Sequence, residues 1–290
     1  MKRSLYIFAL LLSLSCEHIT ESNTTLYCIG FTAGREGKSV TPLSKAPFTQ
    51  GSVASVIIFP SGALTGFRGG TPIYATAAVG GVLQYNDGVY LTRGVYDIYS
   101  ISYNSVSLPS IVFNNGLSAQ TENFIEYLWA SRKEVVVDAD KVIDFHYKRL
   151  SCRVILRVIP DSSYKNITVN SISFTLPNVS NSSINLSDGT ITPALTAGNL
   201  SQIEGSGDTR SFIIVPSQTT HRVETVISGE INGEQLNNKR FGCELNINFE
   251  PGNSYSIEME IIGNKEVILS YHITPWRVVD NIITYSRIIP

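Results

Sequence analysis

Residues 243–276 alternate apolar and polar side chains across two glycine-containing turns, and few folds tolerate that pattern. Cys243, Leu245, Ile247 and Phe249 interleave with Glu244, Asn246, Asn248 and Glu250. A period of two sends alternate side chains to opposite faces of an extended chain, so one face is dry and the other wet. Pro251-Gly252-Asn253-Ser254 supplies a fixed φ and a free one for a reversal. Tyr255, Ile257, Met259 and Ile261 then alternate with Ser256, Glu258 and Glu260, Gly263-Asn264 turns again, and Val267 to Ile273 leads to Pro275-Trp276. The pattern predicts an antiparallel meander and an all-β protein.

The same signature recurs upstream. Leu26 to Phe31, Ser52 to Phe59, Ile73 to Val82, Val95 to Ser102, Val135 to Val137, Lys141 to Tyr147, Cys152 to Val158, Ser211 to Val215 and Arg222 to Ile231 read as strands. Asn166 to Leu176 reads as a strand pair or one long bent strand, and 178–207 as a loop with short strands. Asp87-Gly88 predicts a hairpin between Val82–Tyr85 and Val89–Leu91, and Asn232-Gly233 a tight turn. Only Gln120 to Ser131 reads as a short helix. Strand, turn and strand about every ten residues point to two β-sandwiches, and 290 residues suffice for two cores. The boundary is placed near Asp144, giving domains 26–143 and 144–290. A net charge of -2 gives no reason to expect a nucleic-acid surface.

Lys2-Arg3, the apolar run Leu5 to Leu14, and Ser15-Cys16 read as a secretory signal. The cysteine makes it resemble a bacterial lipoprotein signal over residues 1–16, in which Cys16 is lipidated and starts the mature chain; an ordinary signal with an incidental cysteine is the other reading. Acyl chains would hold the protein on a membrane without a spanning helix. Residues 17–25 are then a polar tether.

Asn123 to Pro160 (NFIEYLWASRKEVVVDADKVIDFHYKRLSCRVILRVIP) resembles the junction between domains in fimbrillin-type proteins of Bacteroidetes. Phe249-Glu250-Pro251-Gly252-Asn253-Ser254-Tyr255 with Ile273-Thr274-Pro275-Trp276 is similar to the closing signature of that family. Val89 to Asp97 (VYLTRGVYD) is similar to a strand entry in its first domain. The resemblance implies two transthyretin-like antiparallel β-sandwich domains in tandem, forming a pilus subunit exported as a lipoprotein to the outer membrane and cell surface. It implies as partners other pilus subunits, homo- or hetero-polymeric, with a host or bacterial surface receptor and a membrane reached through the lipid anchor. In polymerising members an arginine-specific protease removes the first strand, and a neighbour's strand fills the groove. Arg35, in the loop Gly34 to Lys38, sits where that cut would act, or is one solvated arginine among many. Residues 277–290, with Val278, Val279, Ile282, Ile283, Tyr285 and Ile288, are either such a donor strand or the completion of their own sheet.

Enzyme signatures are missing from the sequence. His18, His146, His221 and His272 have no metal-ligand spacing, and no G-x-S-x-G elbow or phosphate loop occurs. No cofactor or metal is expected. Glu258 and Glu260 share a face as any exposed strand face would. Cys152 and Cys243 fall on apolar strand faces of an exported protein and are either a disulfide or two buried free thiols. Trp129 and Trp276 are core residues or a sugar-stacking platform. The alternative to a pilus subunit is a monomeric surface lipoprotein that binds polysaccharide through such a platform.

Overall fold

The computed structural model describes residues 25–35, 46–47, 50–63, 72–263 and 266–276. The described part is all β, with two single 3₁₀ turns and no α-helix. Two compact units emerge. Of the described residues, one holds those up to 35, those from 46 to Gly116 and then Trp129–Tyr147; the other takes Leu117–Leu128 and those from Lys148 onward.

The first unit is built from β1 (Leu26–Arg35), β2 (Ala46–Pro47), β3 (Val53–Pro60), β4 (Ile73–Ala77), β5 (Val82–Gln84), β6 (Tyr90–Thr92), β7 (Gly94–Ser102), the short β8 (Phe113–Asn114), β10 (Leu128–Val137) and β11 (Lys141–Arg149), with β9 (Leu117–Ser118) on the segment belonging to the other unit. Its sheet runs β11-β10-β7-β3-β4-β5-β1, and β1 also pairs with β11, so these seven strands close a ring. This corrects the expected sandwich in the first unit: the sheet is barrel-like. The closing seam is parallel, Ile29 to Arg35 against Lys141 to Tyr147. Ile29, Phe31, Ala33, Phe145 and Tyr147 are buried along the seam and Val56 and Ile98 on one face of β3 and β7, whereas Phe59, Tyr99 and Ile101 are buried on the other face of those two strands.

The Asp87-Gly88 turn does not make the expected hairpin. β5 pairs with Phe31 and Thr32, whereas β6 pairs with Leu26 to Cys28, both antiparallel. The two short strands therefore lie end to end along one edge of β1. The reason is competition: β1 offers both strands an apolar partner, and Val89 O accepts from Ile29 N at 2.8 Å between them.

The second unit contains β12 (Cys152–Pro160), β13 (Tyr164–Pro177), β14 (Ala197–Gln202), β15 (Thr209–Ile214), β16 (His221–Ile231), β17 (Glu234–Leu245), β18 (Asn253–Ile262) and β19 (Glu266–Pro275). They form two four-stranded sheets, β15-β12-β18-β19 and β14-β13-β16-β17, sharing one apolar core. Each fully buried Leu, Ile or Phe contributes roughly 1.5–3 kcal/mol to such a core. Asn232 and Gly233 have φ of 50° and 84°, both left-handed, as a two-residue reversal between β16 and β17 requires. Asn166 to Leu176 lies within one long strand, β13, whose register against β16 shifts twice.

Two local expectations fail here. β17 ends at Leu245, so Ile247 and Phe249 are buried without continuing the ladder. Its partner β16 begins at His221, opposite Leu245, leaving no strand edge beyond; Phe249 is held by a bridge to Ser217. The expected helix over 120–131 is a loop and then β10. Phe124 has φ 70°, and the backbone is committed outward: Thr121 N donates to Ser182 O at 3.0 Å and Phe124 N to Ile213 O at 2.8 Å.

Candidate functional site

The seat of β1 is the place where one strand closes the ring and carries part of its core. Its side chains alternate: Ile29, Phe31 and Ala33 are buried within the ring, with 0%, 2% and 5% exposure, whereas Gly30 and Thr32 lie on the other face. Phe31 stacks on Phe145 with centroids 5.6 Å apart and planes at 12°, and meets Tyr85 edge-on at 6.0 Å. The Tyr85 hydroxyl donates to Ile29 O, and burial raises its pKa, with Tyr90 adding to the effect. On the β11 side, Cys28 N donates to Asp140 Oδ1 at 2.8 Å and Thr32 Oγ1 to Asp144 Oδ1 at 2.9 Å.

On the β5 side, Gly81 (φ +82°) lies so close to β1 that an added Cβ would stand 2.3 Å from Ala33 O. Only glycine fits that approach. The seat is thus walled by backbone on one side and floored by aromatic rings.

Arg35 is not in a loop. It ends β1, in register with Tyr147 on one side and Ala46 on the other. The strand outruns the expected Leu26 to Phe31 because Thr32, Ala33 and Gly34 find partners in Asp144, Phe145 and His146. Cys16 and the donor-strand residues Val278, Val279, Ile282, Ile283, Tyr285 and Ile288 lie outside the described residues.

Cys152 and Cys243 are free thiols in the structure, the first buried and the second half-buried. Cys152 is on β12 and Cys243 on β17, in opposite sheets of the second unit, and such sheets stack about 10 Å apart. Cys152 Sγ donates to Glu250 O at 3.0 Å, and burial pushes its pKa well up. Neither thiol is disposed to react.

The tryptophans do not form a sugar platform. Trp129 and Trp276 are 9% and 6% exposed. Trp276 carries the Arg149 guanidinium 4.7 Å and the Arg153 guanidinium 5.6 Å from its ring centroid, a cation–π arrangement. Arg149 also donates to Trp276 O at 2.9 Å and to Glu126 Oε1 at 2.7 Å, both partners of that ion pair being buried. Glu126 comes from the 117–128 excursion, which this pair helps fasten to the second unit.

Sequence reasoning missed His221. It is fully buried, stacked 5.0 Å from Phe174 and edge-on to Phe249 at 5.0 Å. Its Nδ1–H donates to Thr175 O at 2.6 Å, so Nε2 accepts from the Ser217 hydroxyl at 2.8 Å. Burial lowers its pKa. The pair resembles a nucleophile and its base, but both residues have 0% exposure and no substrate reaches them. The available signal was that His221 shares the parity of Val223, Thr225 and Ile227, all buried. His146, by contrast, is partly exposed beside Asp144, 3.2 Å away.

This architecture is shared with solved proteins. A candidate cell-adhesion protein of Bacteroides uniformis is 13% identical with a TM-score of 0.62, covering 87% of this chain and 99% of that one. One from Bacteroides ovatus is 16% identical with a TM-score of 0.59, covering 88% and 100%. The tip fimbrial protein Mfa3 of Porphyromonas gingivalis, truncated at its C-terminus, is 9% identical with a TM-score of 0.53, covering 87% and 100%. At these identities the likeness is one of fold. No curated protein sequence matches. The decisive match is to a family defined by sequence, described as fimbrillin-like, over residues 65–276. Since that span takes in strands of both units, this chain belongs to the fimbrillin-like family.

Proposed function

We propose that this chain is a cell-surface fimbrial subunit that joins its neighbours by strand addition. The observation that supports it is the seat of β1: one strand near the N-terminus closes the ring of the first unit, buries Ile29, Phe31 and Ala33, and ends at Arg35. Cleavage after Arg35 would free that strand from the rest of the chain. Its departure would leave β11 and β5 with unpaired edges above an apolar floor, a combination that drives capture of another strand. The second unit, with its two facing sheets, carries the transthyretin-like sandwich reading; in the first unit the ring would open only when β1 leaves.

Export as a lipoprotein through Cys16, anchorage at the outer membrane, and donation of residues 277–290 to a neighbour complete the reading. A surface receptor would be the partner of the assembled fibre. The test is digestion of the purified chain with an arginine-specific protease, followed by mass spectrometry and denaturing gels without boiling. A product beginning at Glu36 is expected, and with it SDS-resistant complexes once a strand matching the vacated seat, such as residues 26–35, is supplied. An intact N-terminal strand, or a cut product that holds no supplied strand, would defeat the proposal.

A further inference from the structure

We infer that the seat of β1 selects a strand carrying an aliphatic, an aromatic and a small residue at successive inward positions, and that residues 277–290 of a second copy are not that strand. This rests on the strand-addition reading.

The selection follows from what lines the seat. Ile29, Phe31 and Ala33 are the inward set. The middle position sits in an aromatic socket made by Phe145 and Tyr85. A residue without a ring there leaves that socket part-empty, and a packed core is sensitive to such a void. The third position tolerates little bulk, because the close approach of Gly81 to Ala33 O stops the strand from shifting toward β5 to make room. Outward, Asp144 offers a carboxylate to a hydroxyl in the place of Thr32.

Residues 277–290 do not meet this requirement. Their one aromatic residue is Tyr285. Placed at the Phe31 position it puts Ile283 where Ile29 sits and Ser286 where Thr32 meets Asp144, both acceptable. It also puts Arg287 where Ala33 sits, turning a guanidinium into an apolar ring. Reversing the strand moves Arg287 to the Ile29 position, which is fully buried. An unpaired charge in such a place is strongly disfavoured. Every other register leaves the socket without a ring. Arg287 therefore acts against capture of residues 277–290 by another copy, a repulsive element that sets specificity.

The full chain is cut with an arginine-specific protease, the protease is inhibited, and labelled synthetic peptides are added. One peptide has the sequence of residues 26–35, with Cys28 replaced by serine. The second is 278–290, and the third is 278–290 with Arg287→Ala. Retained label is read by gel filtration, with uncut protein as the control. Retention of the first and third peptides at roughly tenfold or more over the second is expected. Equal retention of the second and third would overturn the selection while strand addition stands. Absence of a product starting at Glu36, or retention of none of the three by the cut chain, would overturn both.

Discussion

The two units solve the same problem, an apolar core with no helix to cover it, in different ways. The second unit faces two four-stranded sheets across a shared core, and Phe174, Phe212, His221, Phe249 and Tyr255 form a continuous aromatic cluster through it. The first unit closes one sheet on itself through the β1–β11 seam, where Thr32 and Asp144 meet from 112 positions apart. A closed ring has no exposed edge, but its integrity depends on every stave. The first unit therefore depends on one parallel seam to close its sheet, which the second unit, with two separate four-stranded sheets, does not.

Trp129 and Trp276, the two tryptophans, report on the first and second unit separately. The largest expected effects come one from each unit. Phe31→Ala should cost about 3–5 kcal/mol and shift the Trp129 transition in urea while sparing that of Trp276. Arg149→Met should cost about 3–5 kcal/mol, because Glu126 stays buried without its cation, and should shift the Trp276 transition alone. A single joint transition moving in both variants would mean that the units do not unfold independently.

Gly81→Ala is expected to cost the first unit about 1–3 kcal/mol, since the new methyl group meets Ala33 O at a φ of +82°. It should also speed protease-dependent release of β1. Equal release rates in the two proteins would show that Gly81 does not hold the seat.

Acid should separate the units too. The pKa of His221 is lower in the fold than its ordinary 6.5, through burial, so the unfolded chain binds the proton first. Stability of the second unit is full above about pH 6.5 and falls as pH drops toward the folded value, by at most about 1.4 kcal/mol per pH unit. His221→Gln should flatten that slope in the Trp276 signal. An unchanged slope would assign it to other groups. The smallest effect expected is that of reductant on the second unit: Cys152 and Cys243 are free, so dithiothreitol should leave the Trp276 midpoint where it was.

How far the sequence could be read depends on the kind of information each element carries. The strands of the second unit were legible because each has a buried and a wet side: β18 buries Tyr255, Ile257, Met259 and Ile261 in strict alternation. Where alternation outlasted pairing, at Ile247 and Phe249, it reported burial and not a ladder. The 120–131 stretch misled because Tyr127, Leu128, Trp129 and Ala130 form a buried run without period. The Arg149–Glu126 pair, which fastens that stretch to the second unit, joins residues 23 positions apart. The seat of β1 was half visible, as an apolar strand before an arginine, but its glycine wall and aromatic floor come from β11, Tyr85 and Gly81.

What the sequence determined alone was class and kinship: alternation of period two, turns at Asn232-Gly233 and Pro251-Gly252, and motifs whose order marks the fimbrillin-like family. Those signals are local, fixed by which face of a short extended segment shuns water. What only the tertiary structure decided was which strand lies beside which. Backbone hydrogen bonds are the same for every residue, so nothing in residues 26–35 by themselves specifies 141–147 as their neighbour. That choice is made by the volume left inside a closed ring, where Phe31 finds Phe145 and Tyr85.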